Sequence, residues 1–289
     1  MAEILASKPV VQAMGDDIRS RVERLKEVGI TPTLAIVRVG ARPDDLSYER
    51  TAIKRAESLG IATRVFELDE FVTEYELESQ LHAINVDPSI HGCLLFRPLP
   101  TFMDEKKICD ELAIEKDVDG ISTAALGAVF TDSSEGFASC TAEACIKMLD
   151  HYGIEIEGKH AVVVGRSLVI GKPVAMLLLK RNASVTICHS RTKDLHRMMR
   201  AADIVICATG RPHAYGPVHF SPGQTVLDVG INFDMNGNLC GDVDFDTVEP
   251  IVASITPVPG GIGSVTTSTT MEHTLRAAER VARQSGALQ

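Results

Sequence analysis

Several features that would narrow the function of this chain are missing from it. No apolar run approaches the roughly 18 residues of a membrane span, so no membrane partner is expected. Cations are scarce: 29 lysines and arginines stand against 39 aspartates and glutamates, a formal net charge of −10, with an isoelectric point near 5.4. That balance argues against nucleic acid as a partner, and any bound anion must meet a local cluster of cations. The seven cysteines (Cys93, Cys109, Cys140, Cys145, Cys188, Cys207 and Cys240) include no C-x-x-C pair. Their odd number and apolar surroundings suit core residues in a reducing cytoplasm, not a disulfide framework. No zinc spacing is visible, and no metal site is expected. The opening stretch MAEILASKPVVQAMGDDI lacks a clean apolar core before a cleavage site and reads as a first helix, not a signal peptide. No fixed-period repeat and no low-complexity tract occurs.

What is present is 45% hydrophobic residues over 289 positions, enough for two domains of ordinary size. TLAIVRVG (33–40), ATRVFEL (62–68) and HGCLLF (91–96) predict strands, separated by the helical patterns LSYERTAIKRAESLGI and TEYELESQLHAIN. IEKDVDGISTAALG reads as a connector and TAEACIKMLDHYG as a helix. A second series follows: HAVVVG, the helix GKPVAMLLLKRN, SVTICH, the helix DLHRMMRAA, DIVICATG and TVLDVGIN. SITPVPGGIGSVTTST reads as turns, and MEHTLRAAERVARQ as a closing helix. Strands alternating with helices predict an α/β chain of two domains, each with a parallel sheet and a shared cleft, with function gathered at strand ends.

The stretch VVVGRSLVIGKP (162–173) is a strand that meets glycine and restarts as a helix. Such a turn is a ready anion site, because helix N-terminal N–H groups point at the ligand; many similar turns bind nothing. It is not G-x-G-x-x-G, since Gly165 and Gly171 are six apart. The next strand ends in His189-Ser190-Arg191, with no acid to take ribose hydroxyls. An arginine there suits a 2′-phosphate, with Arg166 and Lys172 available to the same cluster, and NADP is favoured over NAD. The competing reading of Arg191 is a solvated surface arginine.

KDVDG, GRSLVIGKPVAMLLL with ASVTICHSRT, and TPVPGGIGSVT, in this order and spacing, resemble the bacterial-type methylenetetrahydrofolate dehydrogenase/methenyltetrahydrofolate cyclohydrolase (FolD) family of one-carbon metabolism. The resemblance covers nearly the whole chain. It implies a cytoplasmic homodimer of two-domain α/β subunits. Residues 1–122 with 268–289 would form an N-terminal folate domain, and 123–267 a Rossmann-like NADP domain. Gly165, Arg166, Ser167, Ser190 and Ile231, with Arg191 from the charge argument, would meet NADP. Asp119 would bind the pterin, its carboxylate accepting two hydrogen bonds from an amino-pyrimidine edge; alone, it would read as an Asp-Gly turn residue. Pro98, Leu99 and Pro100 on one side and Pro259, Gly260 and Gly261 on the other would wall the tetrahydrofolate derivative. Tyr48 and Asp119 are the residues expected at the chemistry.

Two departures stand out. The family's S-Y-x-x-x-K-x-K reads Ser47-Tyr48-Glu49-Arg50-Thr51-Ala52-Ile53-Lys54 here, with Ala52 where the hydrolytic lysine is expected. On a helix Ala52 lies roughly 40° from Tyr48 and Lys54 about 120° away on the other side, so Lys54 does not substitute. Arg55 returns to the face of Tyr48 but stays protonated and cannot act as a base. The family's G-x-x-x-Q-L-P-L-P reads Gly92-Cys93-Leu94-Leu95-Phe96-Arg97-Pro98-Leu99-Pro100, so Phe96 replaces the supporting glutamine and Arg97 an apolar residue. A smaller departure is Ser264-Val265 where the family commonly has proline and methionine.

Dehydrogenation needs alignment of two rings and no obligatory base. Hydrolysis of the methenyl product moves protons, and a placed acid or base typically contributes about 10²–10⁴-fold. The sequence therefore predicts an NADP-dependent dehydrogenase with weak or absent cyclohydrolase activity. The alternatives are a fully bifunctional enzyme giving formyltetrahydrofolate and a non-catalytic NADP-binding regulator. A shikimate-type dehydrogenase lacks support from TPVPGG and KDVDG.

Overall fold

Runs rich in valine and isoleucine form the strands, and the segments of helical period between them form the helices, in a computed structural model that describes residues 1–288. The first half contains β1 (Glu3–Ile4), α1 (Ser7–Glu27), β2 (Thr33–Val39), α2 (Pro43–Ser58), β3 (Ala62–Leu68), α3 (Glu74–Val86), β4 (Gly92–Leu95), α4 (Glu105–Asp110), α5 (Thr123–Phe130) and α6 (Cys140–His151). The second contains β5 (His160–Val164), α7 (Gly171–Lys180), β6 (Ser184–Cys188), α8 (Leu195–Arg200), β7 (Ile204–Cys207) and β8 (Thr225–Asp228). β9 (Asn232–Phe233), β10 (Leu239–Cys240), α9 (Phe245–Val248), β11 (Ser254–Ile255) and α10 (Ile262–Gln284) complete it.

The chain divides into two compact units: Ala13–Cys140 with the chain from Thr267 onward, and Met1–Gln12 with Thr141–Thr266. The first holds a three-stranded parallel sheet in the order β3-β2-β4. β2 and β4 are buried along their whole length, which is why both read as continuous apolar runs. The second holds a six-stranded parallel sheet in the order β1-β11-β8-β7-β5-β6. Because β6 and β7 flank β5 on opposite sides, the strand order reverses at β5, where a parallel sheet opens a crevice at its carboxyl edge.

These boundaries differ from those expected. Residues 1–12 belong with the second unit because β1 pairs with β11, Glu3 opposite Ser254 and Ile4 opposite Ile255. Residues 123–140 stay with the first, where Phe137 is buried in the core with Phe96, Val118 and Met271. The expected connector contains a helix, α5, whose N-terminus is capped by the Ser122 hydroxyl accepting from the Ala125 N–H. The expected turn region after residue 261 is the start of α10. Threonine and serine are indifferent helix formers, but Thr267, Ser268, Thr269 and Thr270 are buried here, and tertiary packing outweighs local propensity. All seven cysteines are buried, and none is joined in a disulfide.

Candidate active site and cofactor loop

Tyr48 lies in the second turn of α2, one residue before the buried Glu49 that pairs with Arg38 at 3.0 Å. Its ring meets Phe96 at 5.4 Å between centroids, tilted by 47°. Tyr48 keeps 38% of its surface exposed, yet its hydroxyl is the crowded end. Burial first, then the charges of Asp119 and Cys140, push the phenol above its ordinary range, against hydrogen bonds with Thr267 and Thr270. Tyr48 therefore stays protonated at neutral pH and serves as a hydrogen-bonding group, not a base.

Ala52, one turn further, is completely buried. It shares one apolar cluster with Phe96, Leu94, Val118, Phe137 and Met271. The two positions that depart from the family pattern thus fall into the same core, and the side chain at 96 closes it against Tyr48. Lys54 is exposed on α2 while Ala52 and Ala56 are buried, so the lysine faces away as its helical angle predicts. Arg55 donates from Nε to the Ser268 hydroxyl at 3.2 Å. The groups acting most strongly on the Tyr48 hydroxyl include no lysine and no histidine.

The KDVDG segment runs parallel to β4, bridged at Cys93 and Asp117, which brings Asp119 level with the end of that strand. Its two aspartates do different work. Asp117 is fully buried and accepts from the backbone N–H groups of Ile121 at 3.1 Å and Ser122 at 2.8 Å, locking the turn. Asp119 keeps 24% of its side chain exposed, with an Arg97 Nη at 4.0 Å. Burial pushes its carboxyl up to about 6, opposed by Arg97, helped by Asp117, and opposed again by a hydrogen bond with Cys140 and by His273. Arg97 also approaches Glu105 at 3.9 Å, and the other oxygen of Glu105 accepts from the Leu99 N–H at 2.8 Å. In the Pro98-Leu99-Pro100 wall, Leu99 is buried and Pro98 exposed, and the Arg97–Pro98 peptide is cis.

Sequence reasoning did not find the floor of this site. The Cys140 thiol donates to the Val118 carbonyl at 3.0 Å and receives the Thr270 hydroxyl at 3.3 Å. His273 meets the same carbonyl through Nδ1 at 2.8 Å and stacks on Phe137 at 4.7 Å. Thr267, Thr270 and His273 recur every three residues, a helical spacing that marks one face; reading the threonine run as turns concealed it.

Pro259, Gly260 and Gly261 belong to the second unit, in the turn from β11 into α10. Gly260 takes a φ of +100°, and a Cβ on Gly261 would run into the Pro257 carbonyl oxygen. The remaining expected cofactor residues gather at the carboxyl edge of the six-stranded sheet. Gly165 follows β5 with φ +134°, and a Cβ there would collide with the Ala208 carbonyl that ends β7's approach. A Cβ on Gly171 would collide with the Gly165 carbonyl. The six-residue spacing of these glycines follows from that mutual approach.

The loop before α7 folds back on Ser167, whose hydroxyl accepts from the Ile170 N–H at 3.2 Å and whose carbonyl accepts from the Lys172 N–H at 3.0 Å. Within α7 the Gly171 N–H reaches the same hydroxyl only at 3.5 Å, and Ile170, the N-cap residue, adds no side-chain cap. His189 accepts from the Arg191 N–H at 3.2 Å, fixing the turn that leaves Ser190 and Arg191 exposed after β6. Gly165 donates to the Cys188 carbonyl at 2.9 Å, so the two loops are neighbours. Arg166, Lys172 and Arg191 have no ion-pair partner among the described residues. Ile231 is exposed beyond the end of β8 in the same sheet.

A parallel sheet with a glycine turn at its reversal point, joined in one chain to a second α/β unit, defines a nucleotide-dependent enzyme of the two-domain α/β class. A family model described as the tetrahydrofolate dehydrogenase/cyclohydrolase catalytic domain matches residues 5–119, and its NAD(P)-binding domain matches residues 139–282. The bifunctional protein FolD of Carboxydothermus hydrogenoformans is 50% identical over 281 residues, covering 96% of this chain and 98% of that protein. The crystal structure of the bifunctional FolD methylenetetrahydrofolate dehydrogenase/cyclohydrolase from Campylobacter jejuni superposes with a TM-score of 0.95 at 35% identity, over 97% of this chain and 99% of that one. The Trypanosoma brucei enzyme, solved with NADP cofactor and inhibitor, gives 0.92 at 33% identity over 98% and 99%. The chain belongs to the tetrahydrofolate dehydrogenase/cyclohydrolase family.

Proposed function

We propose that this enzyme oxidises methylenetetrahydrofolate to methenyltetrahydrofolate with NADP, and that its cyclohydrolase step is weak or absent. The observation that carries the second half is the burial of Ala52 and Phe96 in one apolar cluster against Tyr48. A proton-transfer group is absent from the position where the family pattern has one. Tyr48 is held protonated, and Arg55 is permanently charged. Neither can take the proton that hydrolysis releases.

The residues present fit the reaction that remains. NADP, when bound, supplies the hydride acceptor. Asp119 offers carboxylate oxygens to the amino-pyrimidine edge of the pterin, and the Tyr48 hydroxyl, fixed by Thr267 and Thr270, orients the folate. The Pro98–Pro100 and Pro259–Gly261 segments are assigned as its walls. At the sheet edge Gly165, Arg166, Ser167, Ser190 and Ile231 are assigned to the dinucleotide. Preference for a 2′-phosphate falls to unpaired side-chain charge, chiefly Arg191 with Arg166. Charge-assisted contacts of this kind contribute roughly 1.5–3 kcal/mol when well formed. Buried, reduced cysteines suit the cytoplasm, and a homodimer is the assembly to look for by sedimentation.

Two assays on one preparation test this reading. NADPH formation from methylenetetrahydrofolate should be robust, and hydrolysis of methenyltetrahydrofolate should stay near the uncatalysed rate. Rapid hydrolysis would favour the fully bifunctional reading, which the names of the relatives support. His273, behind Cys140, would then be the first residue to examine. NADP binding without folate binding would favour the regulator.

A further inference from the structure

Arg97 is unexplained by the dehydrogenase reaction: it stands where the family pattern has an apolar residue, yet it lies in the site. Its guanidinium sits between two carboxylates, 4.0 Å from Asp119 and 3.9 Å from Glu105. Both separations exceed hydrogen-bond length, so Arg97 acts as a neighbouring charge and leaves the acceptor lone pairs of Asp119 available. Glu105 holds it from behind while bonded to the Leu99 N–H at 2.8 Å, which ties the charge to the proline wall. The contrast with Asp117 is instructive, because that carboxylate spends its oxygens on Ile121 and Ser122.

We propose that Arg97 is a positioning residue for folate recognition: anchored by Glu105, it holds its charge beside Asp119, keeps that carboxyl ionised and leaves its oxygens available to the amino-pyrimidine edge. The inference rests on the assignment of Asp119 to the pterin. The other groups facing Asp119 are Tyr48 from α2, Asp117 from its own segment, Cys140 from the start of α6 and His273 from α10. Asp117 and burial favour the protonated acid, while Cys140 and His273 favour the carboxylate; Arg97 is the strongest of the groups opposing burial. The loss of positive charge implied by Ala52 is made good here by a cation that cannot give up its proton. That supports binding without restoring hydrolysis.

The test is tetrahydrofolate affinity, measured by calorimetry under anaerobic conditions between pH 5.5 and 8.5 on the full-length protein and on R97M, R97K and D119N. In R97M the acidic limb of the affinity profile should move up by about one pH unit, as expected for a carboxylate losing a nearby guanidinium. Binding at pH 6 should weaken about fivefold on that shift, while affinity at pH 8.5 is retained. R97K should keep the wild-type profile. Uniform weakening of R97M at every pH, or an unmoved limb, overturns the inference while D119N still binds poorly. If D119N binds as well as the wild type throughout, the assignment of Asp119 itself fails, and the inference with it.

Discussion

Restoring the two departed side chains should restore hydrolysis. The double variant Ala52→Lys/Phe96→Gln places an amine one helical turn from Tyr48 and an amide where the Phe96 ring now touches it at 5.4 Å. Ala52 is fully buried among Phe96, Leu94, Val118 and Met271, so Ala52→Lys alone puts an ammonium into an apolar cluster and should cost about 3 kcal/mol. Phe96→Gln alone gives up a buried ring, again about 3 kcal/mol. Together each relieves the other, because the amide gives the amine a partner and the lost ring gives it room. The double variant should be more stable than additivity predicts by about 1–2 kcal/mol, with a Tm roughly 10 °C below wild type. Burial lowers the lysine pKa toward neutrality, the state a base needs. Hydrolysis of methenyltetrahydrofolate, followed by its absorbance loss, should rise about 10²–10⁴-fold, with NADPH formation within a few-fold of wild type. A folded double variant that keeps its dehydrogenase and gains no hydrolysis would refute the reasoning.

Other outcomes follow from the same structure. Arg191→Ser should raise the KM for NADP about tenfold and leave that for NAD unchanged, in line with loss of one exposed charge-assisted contact; initial rates with both cofactors decide it. Gly165→Ala should lower stability by about 1–3 kcal/mol, since alanine at φ +134° is strained and its Cβ meets the Ala208 carbonyl; thermal unfolding measures it. Asp119→Asn should trade stability for binding. Burial pushes the folded carboxyl up to about 6, above the ordinary aspartate value of about 3.9, so its ionisation is disfavoured by folding and stability is lost as pH rises from 4 to 6. The substrate-free variant should be more stable than wild type by about 1–3 kcal/mol at pH 7, a difference vanishing toward pH 4, while its folate affinity at pH 7 collapses.

How much of this was legible depended on range. The strands β2, β4, β5 and β7 are short apolar runs, and such runs need no partner to be read. The short strands β1 and β11 carry no such signal, since two residues have no period. They exist because Glu3–Ile4 and Ser254–Ile255 pair across the chain, and that pairing moved a domain boundary. The burial of Ala52 could be anticipated from its helical angle to Tyr48. Its company could not, because Phe96 and Met271 are distant in sequence and meet only in the core. The threonine face of α10 was misread for the same reason: local propensity disfavours helix there, and burial overrides it.

The sequence by itself determined the α/β class, the glycine turn, the missing lysine and the arginine after β6, because each is a matter of residue type at short spacing. The tertiary structure decided which groups share an environment. It set Asp119 half-buried beside Arg97 while Asp117 locks the turn, it folded the loop before α7 back on Ser167, and it placed Cys140, Thr267, Thr270 and His273 beneath the site. Charge, burial and hydrogen bonding act through space, at distances of 3 to 4 Å that residues far apart in the chain reach only when it folds.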